Sequence, residues 1–217
     1  MLAGPLLFAS AAYAENPIHD DTQLDANSTP DSFRVYGPAV LTATGATTFQ
    51  IAAEAGATVN LTDSRVTAET NANGLALIGA SATVQGSTIR SNTRGLALNA
   101  AGAGNGASAI IRHSVIEGGT QGATINASAA ELQRSELWGS GDSSEGVRLL
   151  SGTLVARDGS TVSGGNYGAR ILDDNGRGST LVVDNSLIEG RNGPAIAVGR
   201  GAGAPASAQI DVLNGDA

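Results

Sequence analysis

Glycan cleavage by a pair of acids needs two carboxylates held roughly 5 to 9.5 Å apart, so the spacing of the acidic residues is the first thing to test. Asp158 and Asp184 each stand two residues before a serine, Ser160 and Ser186, of a repeated pattern. If the repeats stack as paired strands, the two aspartates lie one repeat apart, about 5 Å. Glu117 and Glu189 share another position, three residues after Ser114 and Ser186. They are three repeats apart, about 14 Å, which is too far for a catalytic pair. Arg90 holds the same position one repeat before Glu117 and is expected to form a solvated outward ion pair with it. No arginine or histidine falls beside both Asp158 and Asp184, so outward acids bordering a turn are the plainer reading of that pair.

Nucleophilic chemistry would centre on Gly141-Asp142-Ser143-Ser144-Glu145-Gly146. A nucleophilic serine needs a histidine base held by a carboxylate. The chain has only His19 and His113, one near the N-terminus and one directly before a repeated serine. The glycine that a protease motif places after its serine is missing, as is the leucine of the esterase motif, so a polar loop is favoured over a hydrolase site. Trp138, the single tryptophan, is expected in an outward position beside that loop. It is either a recognition anchor or packed beneath its own loop. Asp173-Asp174-Asn175 could hold calcium weakly, with a polar turn preferred. The candidate ligand-contact residues are therefore Trp138, Asp142, Ser143, Asp158 and Asp184, with no catalytic set, no metal site and no cofactor expected.

A repeat positions all of these residues. Six serines (Ser64, Ser87, Ser114, Ser135, Ser160 and Ser186) recur at intervals of 23, 27, 21, 25 and 26 residues. Each is followed by a glycine, in order Gly74, Gly95, Gly122, Gly146, Gly168 and Gly193. The residue two after every serine is aliphatic, from Val66 to Ile188, and so is the residue three after every glycine, from Leu77 to Ile196. Three before the serines stand Leu61, Val84, Ile111, Leu132, Arg157 and Val183, with Arg157 the exception. Within each repeat the apolar residues alternate, as in Val59 and Leu61, which is the period of a strand with one buried face. Short strands at this period bury their apolar face only by stacking on neighbouring repeats. The expected fold is all-β: a right-handed parallel β-helix of about seven coils, with Ser and Gly at the corners. Gly37-Pro38-Ala39-Val40 copies Gly193-Pro194-Ala195-Ile196 and implies a further coil at the start. Variable lengths at 67–73, 100–106, 139–145 and 173–178 are expected to project as loops.

Composition narrows the function. Aromatics make up 3%, glycine supplies 30 residues, and cysteine is absent, so stacking rather than disulfides or thiolate-bound metal must hold the chain. Net charge is −8, and the basic residues are arginines scattered singly. Nucleic acid is not an expected partner. Residues 1–14 read as a signal peptide with a clipped basic region, ending in Ala12-Tyr13-Ala14. Residues 15–34 read as an acidic polar leader or N-terminal cap, and 35–217 as the β-helix, truncated at its C-terminus.

The repeat Ala109-Ile110-Ile111-Arg112-His113-Ser114-Val115-Ile116-Glu117-Gly118, together with Gly193-Pro194-Ala195-Ile196-Ala197-Val198-Gly199-Arg200-Gly201, resembles the pertactin-like passenger domains of bacterial autotransporters. The resemblance covers roughly residues 35–217. It implies secretion across the inner membrane, display on the outer face of the outer membrane, and a translocating C-terminal β-barrel beyond Ala217. It also implies a non-enzymatic adhesin or stalk whose partner is a host-cell protein, a surface glycan or another copy of itself. The Arg-Gly-Asp tripeptide of some such adhesins is missing; Arg157-Asp158-Gly159 and Asn214-Gly215-Asp216 are its nearest approximations. A β-helical polysaccharide lyase or glycoside hydrolase is the competing expectation.

Overall fold

The computed structural model describes residues 15–68, 71–172, 178–199 and 208–214. The apolar segment 1–14 and the calcium candidate Asp173-Asp174-Asn175 lie outside them. The described chain is a parallel β-helix with no helical segment, its strands visiting three sheets in rotation. The first sheet runs from Asn16–Ile18 to Ile196–Gly199 and the second from Thr22–Leu24 to Ala208–Leu213, with nine strands each. A third, of seven strands, runs from Thr47–Thr48 to Leu187–Gly190. Seven turns therefore pass through all three sheets, flanked at each end by a two-strand turn.

The aliphatic positions of the repeat form inward columns. Val66, Ile89, Ile116, Leu137, Val162 and Ile188 are successive register partners in the third sheet. Leu77, Leu98, Ile125, Leu149 and Ile171 do the same in the first. All of these but Ile188 are buried, and each buried aliphatic side chain contributes about 1.5–3 kcal/mol. At the C-terminal end the burial thins, with Leu187, Val198 and Val212 about half exposed.

The corner serines carry the turn from the second sheet to the third. Each hydroxyl donates to a carbonyl two or three residues upstream, as in Ser87 to Gln85 (2.9 Å) and Ser114 to Arg112 (2.6 Å). The same oxygen accepts the backbone N–H of the serine one coil earlier, from Ser64 to Ser87 (3.0 Å) through to Ser160 to Ser186 (3.1 Å). Five such bonds link the six serines. A sharp corner needs a left-handed residue in front of each serine, and Asp63, His113, Arg134 and Asn185 all have φ between 45° and 49°. Glycine fills the same role at Gly86. The other tight corner, from the third sheet to the first, excludes side chains by contact: a Cβ on Gly122 would lie 2.5 Å from the Gly146 carbonyl oxygen.

Several expectations change once the register is visible. Residues 15–34, expected as a leader or N-terminal cap, carry strands that pair with the coils after them, Asn16–Ile18 with Phe33 to Val35 and Thr22–Leu24 with Leu41 to Ala43. Arg157 is no exception in the core: Asp158-Gly159 adds a residue to that corner, so Ala156 takes the inward position beside Leu132 and Val183. Gly37 precedes a second-sheet strand and Gly193 a first-sheet strand, so the two Gly-Pro-Ala segments are not equivalent turns. Ile196 pairs with Ala169 rather than Ile171, which faces Val198. Of the described loops, 101–106 is exposed throughout, whereas 139–145 is a tight turn closed by the Ser144 N–H on the Gly141 carbonyl (3.0 Å), with Ser140, Asp142 and Ser143 exposed.

Two substitutions test the corner. Ser114→Ala leaves the buried N–H of Ser87 without a partner and is expected to lower unfolding stability by about 1–3 kcal/mol in denaturant titration. His113→Gly, one residue away, is expected to raise it by roughly 0.5–1 kcal/mol, the left-handed penalty less glycine's entropy in the unfolded chain. A loss of stability in His113→Gly would mean that the imidazole does more than occupy the corner.

Candidate functional site

The structure separates the aspartates that counting had paired. Asp184 is the register partner of Arg157, not of Asp158, which sits in the exposed extra-residue corner with φ 60°. Asp184 is half-buried and accepts a hydrogen bond from Asn214 Nδ2 at 3.2 Å. Ser143 and Asp142 lie at a third-to-first corner, whereas His113 occupies a second-to-third corner and His19 stacks on Tyr36 with ring centroids 4.7 Å apart. No base therefore stands behind Ser143 among the described residues. Trp138 lies between Glu117 and Ser163 in its outward column, half-buried, and its indole N–H is buried without a partner. It combines features of both expectations. The expected ion pair is present, Arg90 Nε to Glu117 Oε2 at 3.0 Å.

The most elaborate polar constellation lies elsewhere, on the outer face of the first sheet. Strands Arg94–Asn99, Gln121–Asn126, Glu145–Leu150 and Tyr167–Leu172 start with outward side chains in register, so Arg94, Gln121, Glu145 and Tyr167 form one column. Three residues further along, Ala97, Thr124, Arg148 and Arg170 form the next. Alternation turns the second column outward, between inward Leu96, Ala123, Val147 and Ala169 on one side and Leu98, Ile125, Leu149 and Ile171 on the other. The first column lies across the corner glycines, where its side chains reach the second, Gln121 meeting Thr124 and Glu145 meeting Arg148.

At the centre is Glu145, whose side chain is only 4% exposed. Arg148 grips it with two bonds, Nε to Oε2 at 2.7 Å and Nη2 to Oε1 at 2.8 Å. Arg170, one coil on, adds Nη1 to Oε1 at 3.0 Å, and Gln121, one coil back, adds Nε2 to Oε2 at 3.0 Å. The Gln121 amide oxygen in turn accepts from Arg94 Nε (2.8 Å) and Thr124 Oγ1 (2.7 Å). Arg170 also lies over the Tyr167 ring, 5.4 Å from its centroid, at the outer limit of a useful cation–π contact. Burial alone would push the Glu145 carboxyl up, but the bonds from Arg148 and Arg170 outweigh it and hold the group below the usual carboxylate range.

A second polar group sits toward the N-terminal end of the same face. Arg34 bridges Glu15 and Glu54, and Gln50 donates to Glu15. These residues line a trough of about 220 Å³ floored by Ala52 and Ala76. Here two carboxylates meet one guanidinium, so the charge balance is opposite to that around Glu145. Among the described residues, no three His, Cys, Asp or Glu side chains gather as a metal site.

The Glu145 constellation was missed because the columns compared were those counted from the serines. Counting from the glycines instead, the residue before Gly95, Gly122, Gly146 and Gly168 and the residue two after it bring out Arg94, Gln121, Glu145 and Tyr167 beside Ala97, Thr124, Arg148 and Arg170.

A family model described as the right handed beta helix region matches residues 48–214. No curated protein and no solved structure matches the chain.

Glu145→Gln removes the charge around which the guanidiniums are arranged and is expected to cost about 1.5–3 kcal/mol at neutral pH. Because the folded-state pKa is depressed, the charge's contribution is complete above the unfolded carboxylate's pKa and is lost as pH falls through the folded value. The stability gap between wild type and variant should therefore be full above about pH 5 and shrink toward acid. A gap that stays constant through that range would contradict the ion network.

Proposed function

Since the chain belongs to the right-handed β-helix family, we propose that it is a surface-displayed passenger-type domain, a rigid non-catalytic stalk or adhesin that meets its partner through outward side chains of the first sheet. The observation that supports this reading is where the acidic groups go. Glu15 and Glu54 are held by Arg34, Glu117 by Arg90, Glu131 by Arg157, and Glu145 by Arg148 and Arg170. A carboxylate whose oxygens are engaged by a guanidinium is not free to act on a substrate, whereas a face of fixed, paired charges suits recognition. Corner serines and glycines, the most regular polar feature of the chain, serve stacking instead. That leaves the outward columns free to differ from coil to coil.

A carbohydrate-active enzyme is the competing reading, and it draws on the same first-sheet face, where the polar side chains are densest.

Protease treatment of intact cells producing the protein tests display. The chain is expected to be shaved from the cells while a cytoplasmic marker stays protected, and protection of both until lysis would overturn the reading. Turnover of any polysaccharide in a substrate panel, abolished by Glu145→Gln in a folded protein, would replace the adhesin with the enzyme.

A further inference from the structure

We propose that the outer face of the first sheet around Arg94, Arg148 and Arg170 binds an acidic polysaccharide, taking its carboxylate or sulfate groups on the arginine side chains. The inference rests on the reading of this face as a contact surface, and names its ligand class.

Charge is the first argument. Three guanidiniums share the constellation with one carboxylate, an excess of two positive charges on a chain whose net charge is −8. Arg34 on the same face is fully neutralised by Glu15 and Glu54, so the excess is local.

Preorganisation is the second argument. Arg148 and Arg170 are register neighbours, one coil apart at about 4.8 Å, and like charges at that distance separate unless something holds them. Glu145 holds them, at the cost of burying a carboxylate. Nothing about the sheet demands this, since Ala97 and Ala76 fill the same outward column two and three coils before Arg148. The arginines remain 31% and 38% exposed, and Arg170 spends a single N–H on Glu145, so donors in a fixed fork geometry still face solvent. Such forks match the planar oxygens of carboxylates and the oxygens of sulfate.

Shape is the third argument, and it selects a polymer. From Arg34 through Ala52, Ala76, Ala97, Thr124 and Arg148 to Arg170 the outward column is one straight track of six coil steps, about 29 Å, lined by small side chains in its middle. Tyr167, carrying Arg170 against its ring, adds an aromatic surface beside the charges. A track of this kind accommodates an extended chain of polar rings better than a compact metabolite, which would be enclosed. Nucleic acid fits poorly, because three arginines cannot neutralise a dense run of phosphates.

Isothermal titration of the purified protein tests this with polygalacturonate, dextran sulfate and unmodified dextran. Binding to at least one charged polymer is expected, tenfold or more above dextran and weakened by added salt. The polygalacturonate and dextran sulfate arms tell a carboxylate ligand from a sulfate one. Arg148→Ala/Arg170→Ala should reduce affinity at least tenfold, and Arg65→Ala, an exposed arginine on the third sheet, should leave it unchanged. Should the double alanine variant lose its strand circular dichroism, Arg148→Lys/Arg170→Lys keeps the charge but removes the fork, and a several-fold loss is expected. Equal affinity for dextran, binding to anionic lipid vesicles but to neither charged polymer, or undiminished binding in a folded arginine variant would overturn the proposal. Titration needs no cell, so a chain that is displayed but binds no acidic polymer fails here alone, and one that binds but is never displayed fails only the surface reading.

Discussion

The structure hangs on one hydrogen bond, repeated five times: the serine hydroxyl that accepts the backbone N–H of the serine one coil earlier. At a corner the backbone leaves the strand ladder, and its N–H would be buried without a partner, a loss of about 1–3 kcal/mol at each coil. Serine is small enough to turn its hydroxyl inward there, and it donates back to its own chain while accepting from its neighbour. The bond fixes the height of one coil against the next. From that follow the register of all three sheets and the straightness of every side-chain column.

This explains which parts of the molecule were legible from the residues. The serines, the glycines and the aliphatic positions at set distances from them are local rules, repeated often enough that one irregularity does not hide them. The all-β parallel helix and the Arg90–Glu117 pair could both be read that way. Register across an irregular corner could not. Asp158-Gly159 differs from Asn185 by one added residue, and that single residue moved Asp158 out of line with Asp184 and Arg157 out of the core. Between Gly193 and Ile196 the same kind of slip shifts the last first-sheet strand. Counting absorbs an insertion at whichever end it is started from, whereas the hydrogen-bond ladder assigns it to a place.

The N-terminal strands were illegible for a different reason. Asn16–Ile18 and Thr22–Leu24 are three residues long, and their burial comes from the coil that covers them rather than from their own composition. Only Ile18 of these six is buried, so there is no alternation to detect. In a solenoid a terminal turn takes its structure from its neighbour.

The Glu145 constellation shows what the division of labour in such a fold permits. Inward columns and corners are constrained by volume and by backbone satisfaction, so a substitution there is felt along the stack. Outward columns carry no such constraint, and a residue in one touches only its counterparts one coil above and below. Glu145 exploits this, because its oxygens are reached from Gln121 below, Arg170 above and Arg148 on its own strand, and the charge is buried by side chains alone rather than by the core. A polar site can thus be assembled on the face of the stack without disturbing the fold beneath it. It can also be abolished by returning the column to alanine, as in the coils of Ala76 and Ala97. Exchanging Arg148, Arg170 and Glu145 together for small residues would leave the serine ladder and the inward columns as they are, whereas removing the arginines alone would strand the Glu145 carboxylate, so the site is separable from the stack only as a unit.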